Sequence, residues 1–501
     1  MKVLQLGPQN WSATYHIPKA ITWEFNDFPL PKKKRHGYDV VIITGATEMS
    51  AEHWELLRMS STPYAVLYLP GVPGLLSSRG QRFLKEQAAL EIFHDPQTVI
   101  DNLEKNFYFG QTGIRVSPTN LVINRAQFPI FEFVDGYHLK IDVDTDEWQT
   151  VGTYKTTPYY DPNKQLSLWL ECTQDPNLET RLLIYDMQGN ADQRFTLPVN
   201  SKQREIIVPM GVTDYARFIG VSVQVKGRGS MEIGTFHYRW TRHGYGNYIA
   251  GGQKIVNPAN NEEIAYYLNP GDLRPPLFIY FSGARSQEGF EAYPLFRNTG
   301  KPALLFTDPR LQMGQFYTGD YFQTAIKEVI QKTVKQLGFT MQDVVTSGLS
   351  MGSYPALKLG AELGVHAVIC GKQLTNLGYL AERAPRERPY GFDTGLDVAS
   401  RNAKDMSPES LIAIDRRFWE EFDKTNLAHT KLFIIYMLDD DYDNKAIDHL
   451  KRSPAVMNGM EFVPKGFGGR HNDNTAAVSG MFVDRIYDVI NHDFKEEAGE
   501  S

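Results

Sequence analysis

The stretch that decides the fold is Gly348-Leu349-Ser350-Met351-Gly352, which has the pattern Gly-x-Ser-x-Gly. It follows the apolar run Val344–Ser347, which predicts a buried strand, and it precedes Ser353–Leu363, which predicts a helix. A serine at such a strand-to-helix turn has a strained backbone and an exposed hydroxyl, and the flanking glycines leave room for the turn. We therefore predict a nucleophile elbow with Ser350 as its nucleophile, the alternative being an ordinary glycine-rich turn with a capping serine.

Short apolar segments alternate with helical ones on both sides of this elbow. The predicted strands are Leu277–Phe281, Ala303–Phe306, Val365–Ile369 and Leu432–Met437, and helical spacing marks Ile326–Leu337 and Ala476–Ile490. Such alternation is typical of a parallel sheet that helices cover on both faces. We predict an α/β-hydrolase domain over residues 244–501, with the glycine-rich residues 244–252 as a linker.

A serine hydroxyl needs a general base, and in this fold the partners follow the serine in the order acid, then histidine. His471 is the candidate base because it lies in the glycine-rich loop Gly466–Asp473, directly before the closing helix. His429 precedes the strand after which the acid is expected. We expect His449 and His492 to lie on solvated parts of helices.

The acid is expected where strand Leu432–Met437 ends, and the chain there reads Leu438-Asp439-Asp440-Asp441-Tyr442-Asp443. A carboxylate at this place orients the histidine and stabilises its imidazolium form. Asp440 is the candidate acid, and the spacing leaves Asp441 open. The alternative is a Ca²⁺ or Mg²⁺ loop, because clustered oxygen ligands suit hard cations. The run lacks the glycine of an EF-hand turn, and we predict no metal site.

An oxyanion hole requires backbone N–H groups that point at the developing negative charge. Met351, which follows the nucleophile, is expected to supply one of them. The second is expected just after strand Leu277–Phe281, at Gly283 or its neighbour Ala284, and Gly283 is the candidate. Arg285 either faces the site or is solvated.

The segment between the predicted strands Val365–Ile369 and Leu432–Met437 is rich in charges and turn signals, among them Pro385–Asp393. Insertions at this place often form a lid or an acceptor pocket over the serine. A lid and a solvated surface loop are both open interpretations.

The chain before residue 244 divides into two further units. Residues 1–115 predict a small α/β unit that suits a scaffold or partner-docking role, with strands Tyr38–Thr44 and Tyr64–Leu69 and helices Ala51–Met59 and Arg79–Phe93.

Residues 116–243 show period-two alternation with turns, which predicts an antiparallel β-sandwich. Its last strand carries Phe236, Tyr238 and Trp240 at alternate positions. We interpret them as core residues, the alternative being a platform that stacks on sugar rings. In outline this unit resembles the jelly-roll carbohydrate-binding modules.

The chain has 501 residues and a formal net charge of −7, which suggests roughly three domains and no electrostatic footprint for nucleic acid. Only Lys32–Arg35 is strongly basic, and we interpret it as a solvated loop rather than a membrane or polyanion contact.

Cys172 and Cys370 do not make a disulfide framework, and we expect Cys370 to be a buried, reduced thiol. The sequence shows neither a signal peptide nor an apolar run of about 20 residues. We predict a cytoplasmic protein that can attach peripherally to a membrane.

The chain resembles the second accessory secretory protein family of the accessory Sec system over essentially its full length. The resemblance rests on the three units together and on the segments Gly348–Gly352, Tyr436–Asp443 and Gly468–Asn472. That system exports serine-rich repeat glycoproteins in Gram-positive bacteria. The resemblance implies a carbohydrate-binding module fused to an α/β-hydrolase domain, and O-acetyl transfer to N-acetylglucosamine of the adhesin. It also implies action with other accessory Sec proteins and the dedicated SecA motor, with Ser350 as nucleophile and His471 as base. No cofactor is expected to be bound, and the acetyl donor is unidentified.

In that family the acid can be a glutamate, whereas this chain offers only aspartates there, so Asp440 and Asp441 both stay open. A Ser-His-Asp arrangement supports acyl transfer to any acceptor, and water is the default acceptor. Two other functions therefore stay open: a non-enzymatic subunit of an export complex, and a carbohydrate esterase that removes acetyl groups.

Overall fold

The computed structural model describes residues 1–26, 37–46, 49–111, 113–161, 164–186, 194–199, 206–209, 217–388, 391–392 and 394–495. These residues form three separate sheets, each with its own buried core. The basic run Lys32–Arg35 lies outside the described residues.

The first sheet is parallel and has the strand order β2-β1-β3-β4-β5. The elements of this unit are β1 Lys2–Leu6, β2 Thr22–Phe25, β3 Val40–Ile43, α1 Ala51–Ser60, β4 Val66–Tyr68, α2 Ser78–Glu86, β5 Leu90–Glu91 and α3 Pro96–Asn106. The predicted helix Arg79–Phe93 is wrong beyond Glu86. Ala88 there has a φ of 42°, so the chain leaves the helix through a left-handed turn and Leu90 pairs with Leu67.

The second sheet is antiparallel, as the period-two alternation predicts. Its strands are β6 Gly113–Val116, β7 Leu121–Ile123, β8 Phe131–Asp135, β9 His138–Tyr154, β10 Tyr159–Tyr160, β11 Leu166–Gln174, β12 Leu178–Asp186, β13 Arg194–Val199, β14 Ile206–Ile207 and β15 Arg217–Trp240. The long β15 pairs with β6, β9, β10, β11 and β12 and so connects the sheet. Phe236 is fully buried, while Tyr238 and Trp240 are half-buried against the same core. These contacts favour the core interpretation, and carbohydrate binding by this unit stays a prediction.

The third sheet has the strand order β16-β17-β19-β18-β20-β21-β22-β23, parallel from β19 to β23. Its strands are β16 Gln253–Val256, β17 Glu263–Asn269, β18 Leu277–Phe281, β19 Ala303–Thr307, β20 Val344–Leu349, β21 Ala367–Gly371, β22 Lys431–Met437 and β23 Glu461–Phe467. Its helices are α4 Tyr293–Thr299, α5 Asp320–Leu337, α6 Ser353–Leu363, α7 Leu377–Glu387, α8 Thr394–Asn402, α9 Pro408–Phe422, α10 Ala446–Arg452, α11 Pro454–Met457 and α12 Thr475–Asp488. The predicted mixed α/β architecture is confirmed. The sequence patterns missed β16, β17 and β23, and Gly466 and Phe467 lie in β23 rather than in the predicted loop.

Helices cover both faces of this sheet, and strand β18 shows how. Leu277, Ile279 and Phe281 pack into one apolar cluster with α5 and α6. Phe278 and Tyr280 point to the other face and pack with α4 and α12. Strand β20 therefore lies between β18 and β21 in a sheet that is buried on both sides. Its carboxyl end is where ligands bind in open α/β sheets.

Both cysteines are free and buried, and burial raises the pKa of the Cys172 thiol to about 12. Within the part of the chain that the structure describes, no helix has the length and apolarity that a bilayer span requires.

Candidate active site

Strand β20 ends at Leu349, a single 3₁₀ turn carries Ser350–Gly352, and α6 begins at Ser353. Ser350 has a φ of 52°, a left-handed conformation that is unfavourable for a residue with a side chain. A side chain on Gly348 would collide with the carbonyl group of Gly352, and one on Gly352 would collide with the carbonyl group of Phe281. Both glycines are therefore required for the turn that holds the serine at the end of the sheet.

The structure brings Ser350, His471 and Asp440 together into one hydrogen-bonded line. Ser350 Oγ lies 2.9 Å from His471 Nε2, and His471 Nδ1 lies 3.0 Å from Asp440 Oδ2 and 3.2 Å from Oδ1. Ser350 is half-buried, whereas His471 and Asp440 are 2% and 4% exposed. This is the arrangement of a nucleophile, a general base and an orienting acid.

The aspartates after β22 have different partners, and these separate the two candidate acids. Asp440 faces the imidazole ring and also accepts hydrogen bonds from the amides of Tyr442 and Asp443. Asp441 Oδ1 instead accepts from the backbone N–H of His471, at 3.0 Å. Burial raises the pKa of Asp440, but the hydrogen bond and charge of His471 outweigh it and hold the pKa below its ordinary value. Asp440 is therefore an ionised carboxylate at neutral pH.

The other members of the aspartate run hold loops in place. Asp443 accepts hydrogen bonds from the amides of Thr375 and Asn376, at 2.7 and 2.8 Å, where the chain leaves β21. Asp439 accepts from the amide of Gly469. In the described ranges, no group of three or more His, Cys, Asp and Glu side chains is placed to hold a metal ion.

Tyr442 is a site residue that the sequence patterns did not single out. Its ring stacks on the imidazole of His471, with centroids 4.3 Å apart and planes 10° apart. The guanidinium of Arg388, at the end of α7, lies 3.6 Å from the centroid of the same ring. The stacked ring restricts rotation of the imidazole, and Arg388 connects the insertion between β21 and β22 to the hydrogen-bonded line of Ser350, His471 and Asp440. That insertion is helical, and residues 389, 390 and 393 of the predicted Pro385–Asp393 segment lie outside the described residues.

Three further histidines that follow Ser350 in the chain have partners away from it. His366 pairs with Asp493 at 2.8 Å. His492 is exposed, as expected, and bonds the carbonyl group of Asp488. The expectation that His449 is solvated is wrong, because His449 is half-buried and packs edge-on against Trp419.

The two predicted oxyanion donors differ in their surroundings. Met351 follows Ser350 in the chain and is 1% exposed. Gly283 lies beside the elbow, since a side chain on it would approach the carbonyl oxygen of Leu349 to 3.1 Å. However, its amide donates to Oε2 of Glu291 at 3.0 Å, and the hydroxyl of Tyr280 donates to the same oxygen. A role for Gly283 as the second donor therefore requires Glu291 to release this amide. Arg285, which the sequence left as either facing the site or solvated, donates from Nη1 to the carbonyl oxygen of Gly289 in its own loop.

Replacing Glu291 with glutamine is expected to raise the rate of acylation by a small acetyl ester about 3- to 10-fold. The reason is that a hydrogen bond to a charged acceptor is stronger than one to a neutral acceptor by about 1 kcal/mol, so the neutral amide competes less with the oxyanion. Burst kinetics with a chromogenic ester measure this rate, and Glu409→Gln on the exposed side of α9 is the matched control. An equal or slower rate for Glu291→Gln would show that the carboxylate does not compete for the Gly283 amide.

Comparison with known proteins finds similar proteins over nearly the full chain, both by sequence and by structure. Residues 1–496 match the family model described as the accessory Sec system GspB-transporter. The chain is 30% identical over 509 residues to the second accessory Sec system protein of Streptococcus gordonii, covering 99% of this chain and 98% of that one. It is 29% identical over 516 residues to the corresponding protein of Staphylococcus aureus strain NCTC 8325 / PS 47, covering 98% and 97%. A solved structure of the Glycosylation Associate Protein complex from Streptococcus agalactiae aligns with a TM-score of 0.87 at 26% identity, covering 99% of both chains.

Proposed function

We propose a function for this chain, which belongs to the accessory Sec system GspB-transporter family of second accessory secretory proteins. The protein is an O-acetyltransferase that serves the export of serine-rich repeat glycoproteins. The acceptor is a hydroxyl group of N-acetylglucosamine on the adhesin glycan. The catalytic residues are Ser350, His471 and Asp440, and the oxyanion donors are the amides of Met351 and Gly283.

The observation that carries the proposal is the hydrogen-bonded line from Ser350 Oγ through His471 to Asp440, on an elbow whose glycines cannot be replaced. A structural serine needs neither a buried histidine nor a strained backbone. Strain of this kind is stored at functional sites, where the surrounding structure must hold it.

The reaction proceeds in two half-reactions. His471 Nε2 takes the proton of Ser350, and Oγ attacks the acetyl carbonyl carbon to form a tetrahedral intermediate. The intermediate collapses as His471 gives the proton to the leaving group, which leaves an acetyl ester on Ser350. The acceptor hydroxyl then loses its proton to His471 and attacks the ester, and the returned proton restores Ser350. Asp440 stabilises the imidazolium form in both halves.

Transfer to a sugar and hydrolysis by water differ only in the second half-reaction. The test is acetyl-ester turnover at increasing concentrations of a peptide that carries O-linked N-acetylglucosamine. For a transferase, acetylated glycopeptide rises to saturation while released acetate falls by the same amount. An unchanged acetate yield without acetylated glycopeptide would show hydrolysis in place of transfer and would favour the carbohydrate esterase.

The proposed partners are other accessory Sec proteins, the dedicated SecA motor and the serine-rich repeat glycoprotein. Support for the accessory proteins comes from the Streptococcus agalactiae structure, which is a complex of Glycosylation Associate Proteins. We further propose a cytoplasmic location with peripheral attachment to the membrane, which is where a partner of the SecA motor acts. No cofactor is part of this mechanism, and the acetyl donor enters as a substrate.

A further inference from the structure

The loop between β18 and α4, residues 282–292, carries both Gly283 and Glu291 and lies against the antiparallel sheet. Its middle is held by a buried ionic cluster. Glu288 Oε1 lies 2.5 Å from His237 Nδ1, and Glu288 Oε2 accepts from Arg239 Nε at 2.5 Å and from the hydroxyl of Tyr248 at 2.9 Å. The side chains of Glu288 and His237 are fully buried. On the far side of the imidazole, His237 Nε2 lies 3.1 Å from Glu171 on β11.

The backbone of the same loop is held as well. The amide of Glu288 donates to the carbonyl group of Gly113, and Arg115 Nη2 donates to the carbonyl group of Arg285 at 2.5 Å. The side-chain amide of Gln111 donates to the carbonyl group of Phe290 and accepts from its N–H. Residues 285–290 are therefore fixed to the antiparallel sheet by side chains and backbone together.

The charges in this cluster stabilise the contacts of Glu288 with His237 and Arg239. Burial raises the pKa of Glu288, but Arg239 and His237 outweigh it and hold the pKa well below its ordinary value. Burial lowers the pKa of His237, and the nearby Glu288 carboxylate outweighs it and raises that pKa. Glu288 is thus an ionised carboxylate held between the guanidinium of Arg239 and the imidazole of His237. Separating a buried charge from its partners is strongly unfavourable, so the loop cannot leave β15 without losing the cluster.

The two ends of this loop meet at the nucleophile. Gly283 lies beside Leu349 at the elbow, and its amide bonds Glu291 at the other end of the loop. The loop is therefore closed on itself, with its middle fixed to the antiparallel sheet and its ends at the active site. The loop that carries the Gly283 N–H is therefore held at its middle through Glu288.

We propose that Glu288 is a positioning residue, through which His237 and Arg239 of the antiparallel sheet hold the loop that supplies an oxyanion donor. The antiparallel sheet is then part of the acyl-transfer site and not only a module attached to it. This inference rests on the proposed function, because it assumes that Ser350 is acylated.

The test compares acylation of the full chain by phenyl acetate and by phenyl thionoacetate. A thionoester replaces the carbonyl oxygen with sulfur, which accepts hydrogen bonds poorly, so the ratio of the two rates reports on the oxyanion donors. Glu288→Gln is expected to slow acylation by the oxygen ester about 10- to 100-fold, less than the roughly 10²- to 10³-fold cost of removing an oxyanion donor, because the variant displaces the donor without deleting it. The thionoester rate is expected to change less than about 3-fold, so the ratio of the oxygen-ester rate to the thionoester rate falls at least about 3-fold.

The matched control is Glu263→Gln on β17. Glu263 is as fully buried as Glu288 and pairs with Arg239 and Lys254, but it lies outside the loop. Its replacement is expected to lower stability comparably and to keep the ratio of rates within about 2-fold of wild type. If Glu288→Gln does not fold, Arg115→Gln, which removes the hydrogen bond to Arg285, is expected to lower the ratio in the same direction.

The outcomes separate this inference from the proposed function. If wild type forms no acyl-enzyme with either ester, the proposed function fails. If wild type is acylated and the Glu288 and Arg115 variants keep its ratio of rates, Glu288 holds the interface only and this inference is wrong.

Discussion

Ser350→Ala is expected to reduce acetyl transfer to the glycopeptide acceptor by at least about 10⁴-fold, since members of a serine triad act as a unit. Without Oγ, His471 has no hydroxyl to activate and no acetyl-enzyme can form. The measurement is the initial rate of acetylated glycopeptide formation, followed by mass spectrometry.

The control for this variant is Ser400→Ala, which replaces an exposed serine of α8. It is expected to keep the wild-type rate. Thermal unfolding of Ser350→Ala is expected within a few degrees of wild type, because the change removes about one partly exposed hydrogen bond. Transfer that survives Ser350→Ala in a folded protein would mean that another residue carries the acetyl group.

Asp440→Asn is expected to lower kcat by about 10⁴-fold while leaving the fold intact. The carboxylate accepts the hydrogen bond of His471 Nδ1 at 3.0 Å and so keeps Nε2 free to accept the serine proton. An asparagine amide can present a donor to Nδ1, which favours the wrong tautomer of the ring. The rate of acylation by a small acetyl ester measures the loss.

Asp441→Asn is the matched comparison, because it makes the same chemical change one residue away. The Asn side-chain oxygen can still accept from the backbone N–H of His471, so we expect less than about a 10-fold loss. A loss for Asp441→Asn that equals or exceeds the loss for Asp440→Asn would reverse the assignment of the acid.

The elbow could be predicted from the sequence because its constraints are local. Gly348 and Gly352 are required by backbone contacts around one turn, and the adjoining strand and helix have clear apolar patterns. The same holds for His471, whose loop lies between the sheet and the closing helix. Such features depend on neighbours in the chain and therefore leave a pattern in it.

The choice between Asp440 and Asp441 could not be predicted, since it depends on how the loop after β22 turns. Adjacent aspartates have the same composition and differ only in which one faces the ring and which one faces the backbone of His471. Tyr442 was missed for the same reason, because a tyrosine in an acidic run gives no signal of a stacked imidazole.

Glu288 and Glu291 could not be found from the sequence, because their partners are distant in the chain. Glu288 contacts residues of β15 about fifty positions earlier, and the alternation of that strand predicts a core without showing what lies beyond it. A carboxylate after a predicted strand is most often solvated. Only the packing of one sheet against another shows that Glu288 is buried and paired.

The most direct test of the central claim is the intact mass of the purified protein after incubation with a small activated acetyl ester, followed by peptide mapping. The account predicts a single adduct of about 42 Da, the mass of one acetyl group, on Ser350, present in wild type and absent in Ser350→Ala. Wild-type protein that stays unmodified while its fold is intact, or that carries the adduct on another residue, would contradict it.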